Sequence, residues 1–195
     1  MNTNGQSIKQ MATRVAYQSR YMRLREDDIQ RIDGSHGIYS YVEKPDFALI
    51  IAMENNGFHM IEQYRYPIRR RSWEFPQGTL PDLATTAPEL LAREELRQET
   101  GLTAGTLRHL GHLYCASGMA TQGFDVFLAT DLTHGKADLE IEEQDLRHQW
   151  FSREQVEQMI REGVITDDST LAAYTLLLLG TAQQSSSVDS PADIA

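Results

Sequence analysis

The run Phe47-Ala-Leu-Ile-Ile-Ala-Met53 places the tightest limit on how this chain folds. It is nearly all apolar, yet far too short to span a bilayer as a helix. It also lacks the alternation of a strand with one wet face, so it reads as a strand covered on both sides. Glu54-Asn-Asn-Gly57 follows as a turn with Asn-Gly at its end, and 58–66 reads as the partner strand of a hairpin. Further strands are expected at 37–43, before Pro45, and at 107–114, 124–130 and 147–151. Three helices are readable between and after them. In the first, about 87–100, Thr86 and Glu89 fit a capping box, Pro88 sits in the first turn and Gly101 stops the helix. The second covers about 153–162. The third covers about 169–179, with Asp167 or Asp168 able to cap it. Strands before, between and after helices predict an α/β fold, a mixed β-sheet with helices packed on its faces.

With 195 residues, the chain suits one domain and needs no covalent staple to fold. Residues from about 15 to 180 read as one unit, divided into an N-terminal β arm (1–46, with 1–12 expected to fray) and a main domain (47–180), and 181–195 are expected to be a disordered tail. Lys and Arg total 18 against 28 Asp and Glu, a formal charge of −10. That balance argues against a binder of nucleic acid or of anionic membranes. Cys115 is the one cysteine, which excludes a disulfide within the chain and a multi-cysteine zinc site. The N-terminus carries no apolar core of a signal peptide, so a cytoplasmic protein is expected. The six histidines are scattered, and surface or core roles fit each better than ligation.

The chemistry concentrates in residues 73–102. On a helical wheel, Glu95 and Glu99 share one ridge at the flank of the apolar stripe, while Arg93 and Arg97 project from another face. Like charges four apart repel by about 0.2–0.5 kcal/mol even when exposed. Burial raises that cost unless a cation sits between them or one is protonated. Oxygen ligands on a rigid ridge suit Mg²⁺, or Mn²⁺. A solvated acidic face is the plainer alternative for any such pair.

Gly78 followed by Glu95-Leu-Arg-Gln-Glu-Thr-Gly-Leu102 resembles the Nudix box, G-x5-E-x7-R-E-U-x-E-E-x-G-U with U apolar. The approach Gln63-Tyr-Arg-Tyr-Pro67 and Trp73-Glu-Phe-Pro-Gln-Gly78 resembles the ADP-ribose pyrophosphatase branch, and the likeness extends over most of 15–180. The box departs from its pattern at four points. Glu94 stands where the family has Arg, and Gln98 replaces the first of the paired glutamates. The Arg position, Glu94, comes 16 positions after Gly78 rather than 14, and Ala84 occupies the loop position of a Glu.

The resemblance implies an α/β/α sandwich with an N-terminal β arm that forms a homodimer. It implies metal-dependent hydrolysis of a nucleoside diphosphate sugar such as ADP-ribose, a small-molecule nucleotide substrate. Glu95 and Glu99 would ligate the metal, with Gln98 as a weaker ligand and the backbone carbonyl of Gln77 as another. Glu142 or Glu143, in an acidic loop, would complete the metal site or act as base. Arg65 would contact the substrate, Tyr64 or Trp73 would stack on it, and Glu74 would accept from a ribose or base donor. Ser117 and Met119 fall on a loop that approaches the substrate. The run Arg69-Arg-Arg71 is either a local anion attractor or a solvated turn. Two other readings remain: a hydrolase of the same fold acting on a dinucleotide or GDP-sugar, and a catalytically weak module that binds ADP-ribose.

Overall fold

A computed structural model describes residues 7–80, 82, 84–139 and 144–186. The chain forms two compact units. The first takes in residues 1–46, 80–85 and 114–123. Its sheet is an antiparallel meander of β1 (Ile8–Gln18), β2 (Arg23–Arg31) and β3 (His36–Glu43). The strands β1 and β2 contradict the frayed terminus expected for residues 8–12. Their sequences are mostly polar, and charge holds them together across the register. Thr13 faces Asp27 and Arg14 faces Glu26, with the Arg14 guanidinium on the Glu26 carboxylate. Arg25 Nε lies 2.7 Å from Glu43 Oε2. Residues 114–123 close onto β3: Val42 N–H donates to Met119 O and Thr121 N–H to Val42 O, both at 2.9 Å.

The second unit holds 47–79, 86–113 and 124–195. Its sheet runs β10 (Arg147–Ser152), β5 (Gly57–Arg65), β4 (Phe47–Glu54), β9 (Gly123–His134) and β8 (Leu102–Tyr114), with β6 (Arg70–Glu74) on β5 and β7 (Gln77–Gly78) on β4. Strands β4 and β9 are parallel, while β5 pairs antiparallel with β4, β6 and β10, so the sheet is mixed as expected. Ala48, Leu49, Ile50, Ile51 and Ala52 are all 0% exposed, as the unbroken apolar run requires. Two helices, α1 (Pro88–Thr100) and α3 (Asp168–Ser186), pack against β4, and α2 (Arg153–Arg161) packs against β5 and β10. Phe58 sits at the centre of the core, edge-on to both Phe75 and Tyr174.

Helix ends follow local chemistry with one exception. Gly101 takes φ 74° and ends α1, and Asp167 Oδ2 accepts the Thr170 N–H at 2.8 Å to cap α3. Ser152 and Gln155 form a reciprocal capping box on α2. The box expected from Thr86 and Glu89 is absent: Ala87 is the N-cap of α1 and no side chain caps it. Pro88 in the first turn has no N–H to satisfy, which lowers the need for one. No helix among the described residues is long and apolar enough to cross a membrane.

Candidate active site

The buried face of α1 comprises Leu91, Ala92, Glu95, Leu96, Glu99 and Thr100. Two carboxylates therefore occupy positions that helical periodicity reserves for core side chains. Glu95 is 8% exposed and Glu99 is 1% exposed. The arginines of the helix do not serve them: Arg93 pairs with Glu89, and Arg97 pairs with Glu94 and Asp138. Strand β7 closes over the pair. The Gln77 N–H donates to Glu99 Oε2 at 3.0 Å. At Gly78, a Cβ atom would stand 2.3 Å from Glu95 Oε2. Only a glycine lets the backbone and this carboxylate approach so closely. Gly78→Ala is therefore expected to push the flexible Glu95 carboxylate aside, lowering the rate of any reaction carried by this site at least about tenfold through misplacement. Unfolding temperature should change little, and an unaffected rate would remove the cradle from the site.

A second layer of charge lies beside this ridge. Glu74, on β6, is 1% exposed. Arg65 donates to both its oxygens through Nε, at 2.9 and 3.1 Å, and through Nη2. Gln77 Nε2 lies between Glu74 Oε2, at 3.0 Å, and Asp167 Oδ2, at 3.3 Å. Burial opposes the Arg65 charge, but Glu74, reinforced by Asp167 and Glu99, outweighs it and raises the guanidinium pKa. Burial first, and then the charge of Glu74, pushes the Asp167 carboxyl above its ordinary value.

The donor set fits a hard divalent cation. Every side-chain group on the ridge offers oxygen, and the carboxylates Glu74, Glu95, Glu99 and Asp167 outnumber Arg65. The buried Oε1 of Gln77 accepts no hydrogen bond. Such a group costs free energy until a donor or cation meets it.

The expected residues take differing places. Glu95, Glu99 and Gln77 come together, with Arg65 and Glu74 beside them. Glu74, expected as a ribose or base acceptor, is buried here and accepts from Arg65 and Gln77. The Gln98 amide donates to Glu94 Oε1 at 3.0 Å, on the exposed side of α1. Trp73 packs edge-on against Phe151, with centroids 4.9 Å apart. Tyr64 is 44% exposed and open to stacking. Ser117 and Met119 belong to the first unit and are exposed. Glu142 and Glu143 lie outside the described residues. Of the basic run, Arg71 is paired with Glu62 and Asp145, at 2.8 and 2.6 Å. Asp167 was legible only as a helix cap; its contact with Gln77 adds it to the site.

The family described as nucleoside diphosphate sugar hydrolase N-terminal domain matches residues 8–42. An ADP-ribose pyrophosphatase of Mycobacterium tuberculosis is 34% identical over 151 residues, 76% of this chain and 72% of that protein. An ADP-ribose pyrophosphatase of Bacillus subtilis is 28% identical over 138 residues, 70% of this chain and 74% of that protein. The crystal structure of an ADP compounds hydrolase superposes with a TM-score of 0.79 at 16% identity, covering 92% of this chain and 96% of that one. The mixed sheet, the buried Glu95–Glu99 ridge and these likenesses agree, and the chain belongs to the ADP-ribose pyrophosphatase-like Nudix hydrolases.

Proposed function

We propose that this enzyme hydrolyses the pyrophosphate bond of ADP-ribose, or of a related nucleoside diphosphate sugar, with Mg²⁺ as its metal and Mn²⁺ as a substitute. The reading rests on one observation above all: two glutamates sit in the buried stripe of α1 against a glycine cradle. When bound there, a divalent ion neutralises charge on the diphosphate and makes a water more acidic. Glu95, Glu99 and the Gln77 carbonyl would hold it, with Gln98 in a lesser, outer role.

The chain's own residues do the rest. The Gln77 N–H fixes Glu99 in one orientation. Glu74 occupies Nε and Nη2 of Arg65 and leaves Nη1 for a phosphate oxygen. Tyr64 offers a ring to the base or ribose. Glu142 or Glu143 takes the proton of the attacking water. One water adds across the anhydride: its oxygen bonds to one phosphorus, and the bridging oxygen leaves with the other phosphate. ADP-ribose then yields AMP and ribose 5-phosphate.

Incubation with Mg²⁺ and a panel of ADP-ribose, other nucleotide sugars, dinucleotides and nucleoside triphosphates tests this. AMP release from ADP-ribose is the expected result. Tight binding without turnover would replace the enzyme by a binding module.

We also propose that the protein works in the cytoplasm as a homodimer. Met11, Val15 and Tyr17 leave 45–56% of their surface exposed on β1, the edge strand of the three-stranded sheet, and an edge carrying apolar side chains suits a second copy. Met11→Glu combined with Val15→Glu is expected to convert a dimer to a monomer in sedimentation equilibrium. A parent that already sediments as a monomer would sink this part.

A further inference from the structure

The sheet of the second unit gathers histidines that are far apart in the chain. Four adjacent strands, β10, β5, β4 and β9, each contribute one polar side chain: His148, His59, Glu54 and His134. The register explains the grouping. His59 lies opposite Ala52 on β4 and opposite Trp150 on β10. Glu54 and His148, two residues along their strands, therefore share its face of the sheet.

The distances are those of a coordination site. Glu54 Oε2 lies 3.3 Å from His59 Nε2. The two oxygens of Glu54 lie 3.2 and 3.3 Å from His134 Nε2. One oxygen and one nitrogen from each ring all fall within 4.8 Å of one another. Ligands bound at about 2.0–2.1 Å around a tetrahedral ion stand roughly 3.3 Å apart. Two edges of the triangle already have that length.

His148 decides how the site is used. His59 is 4% exposed, and its Nδ1 is 2.9 Å from His148 Nε2. One hydrogen serves that contact. If His148 carries it, His59 donates from Nε2 to Glu54 and the row is a plain hydrogen-bonded chain. If His59 carries it on Nδ1, His148 accepts and the Nε2 lone pair faces the Glu54 carboxylate. That second arrangement is favourable only with a cation between them.

We propose that Glu54, His59 Nε2 and His134 Nε2 form a second metal site, for a Zn²⁺-class ion with its fourth position open, and that His148 positions His59 for it. Two imidazoles and one carboxylate favour Zn²⁺ over Mg²⁺, unlike the all-oxygen ridge of α1. The side chain of His134 is 58% exposed and gives an entry path. The two sites are separate. Ala48 pairs with Gly78 at one end of β4 and Glu54 ends the same strand six residues on, roughly 20 Å away.

Chelator-stripped protein titrated with Co²⁺ in excess Mg²⁺, followed by visible absorption, tests the site. We expect one Co²⁺ per chain with the intense bands of a four-coordinate centre, displaced by Zn²⁺. His134→Ala and Glu54→Gln should each weaken binding at least tenfold, and His148→Gln about 10–100-fold. Zn²⁺ should raise the unfolding temperature of the parent but not of His134→Ala, whose ADP-ribose turnover in Mg²⁺ should match the parent. Glu99→Gln should leave Co²⁺ binding intact. No Co²⁺ binding by the parent, binding that survives both Glu54→Gln and His134→Ala, or binding lost in Glu99→Gln overturns the site. Unchanged affinity in His148→Gln removes its positioning role.

Discussion

Glu99→Gln is expected to slow ADP-ribose hydrolysis by at least about 10²-fold, since a metal contributes several kcal/mol and each 1.36 kcal/mol is tenfold in rate. The amide keeps the size of Glu99 and an oxygen to accept the Gln77 N–H, so the fold should persist. What it loses is charge. Glu95 and Glu99 stand four residues apart on a buried face, and their repulsion falls when one becomes neutral. Without metal the variant should therefore unfold at the parent's temperature or slightly above it. With Mg²⁺ the parent should gain stability that the variant does not, because a ligand that binds only the native state stabilises it by mass action. Thermal unfolding with and without Mg²⁺, run beside the rate assay, separates a lost metal site from a damaged fold. A variant with full activity would remove Glu99 from the metal site.

The parts of this molecule that rest on local chemistry were legible in the sequence, and those that rest on register were not. The apolar run of β4, the Asn-Gly turn and the stop at Gly101 each act within a few residues. The Glu95–Glu99 ridge follows from the helical repeat alone, although its depth does not: the periodicity put it at the flank of the apolar stripe, and the structure buries it. The N-terminal arm was legible as β, but the bounds of β1 and β2 were not, because their stabilising partners are charges on neighbouring strands, such as Glu26 for Arg14 and Glu43 for Arg25. The same cause made Arg71 look like an anion attractor, although Glu62 and Asp145 neutralise it from elsewhere in the fold. Nothing near Glu74 in the sequence reveals that it is buried beneath Arg65. The histidines looked scattered because only the strand order β10-β5-β4-β9 brings three of them together, two of them at one carboxylate.

Arg65→Ala carries the largest expected loss of stability, about 3 kcal/mol. Breaking a buried ion pair by removing one partner costs about 3–5 kcal/mol, since the other charge stays buried without compensation. The lower end applies because the Arg65 side chain is 38% exposed while Glu74 is 1% exposed. Without the guanidinium, Glu74 keeps the Gln77 amide among the described residues, and Asp167 adds its repulsion. Arg65→Lys should fall between the two, since an ammonium restores charge but not the fork that meets both oxygens. The decisive comparison is Arg65→Ala combined with Glu74→Gln. If the loss comes from a stranded carboxylate, neutralising it should return at least half of the lost stability, and the double variant should be more stable than Arg65→Ala alone. Urea unfolding in chelator, where no metal masks the charge, gives all three values. Additive losses, or an Arg65→Ala cost below about 1 kcal/mol, would mean that Glu74 does not depend on this cation.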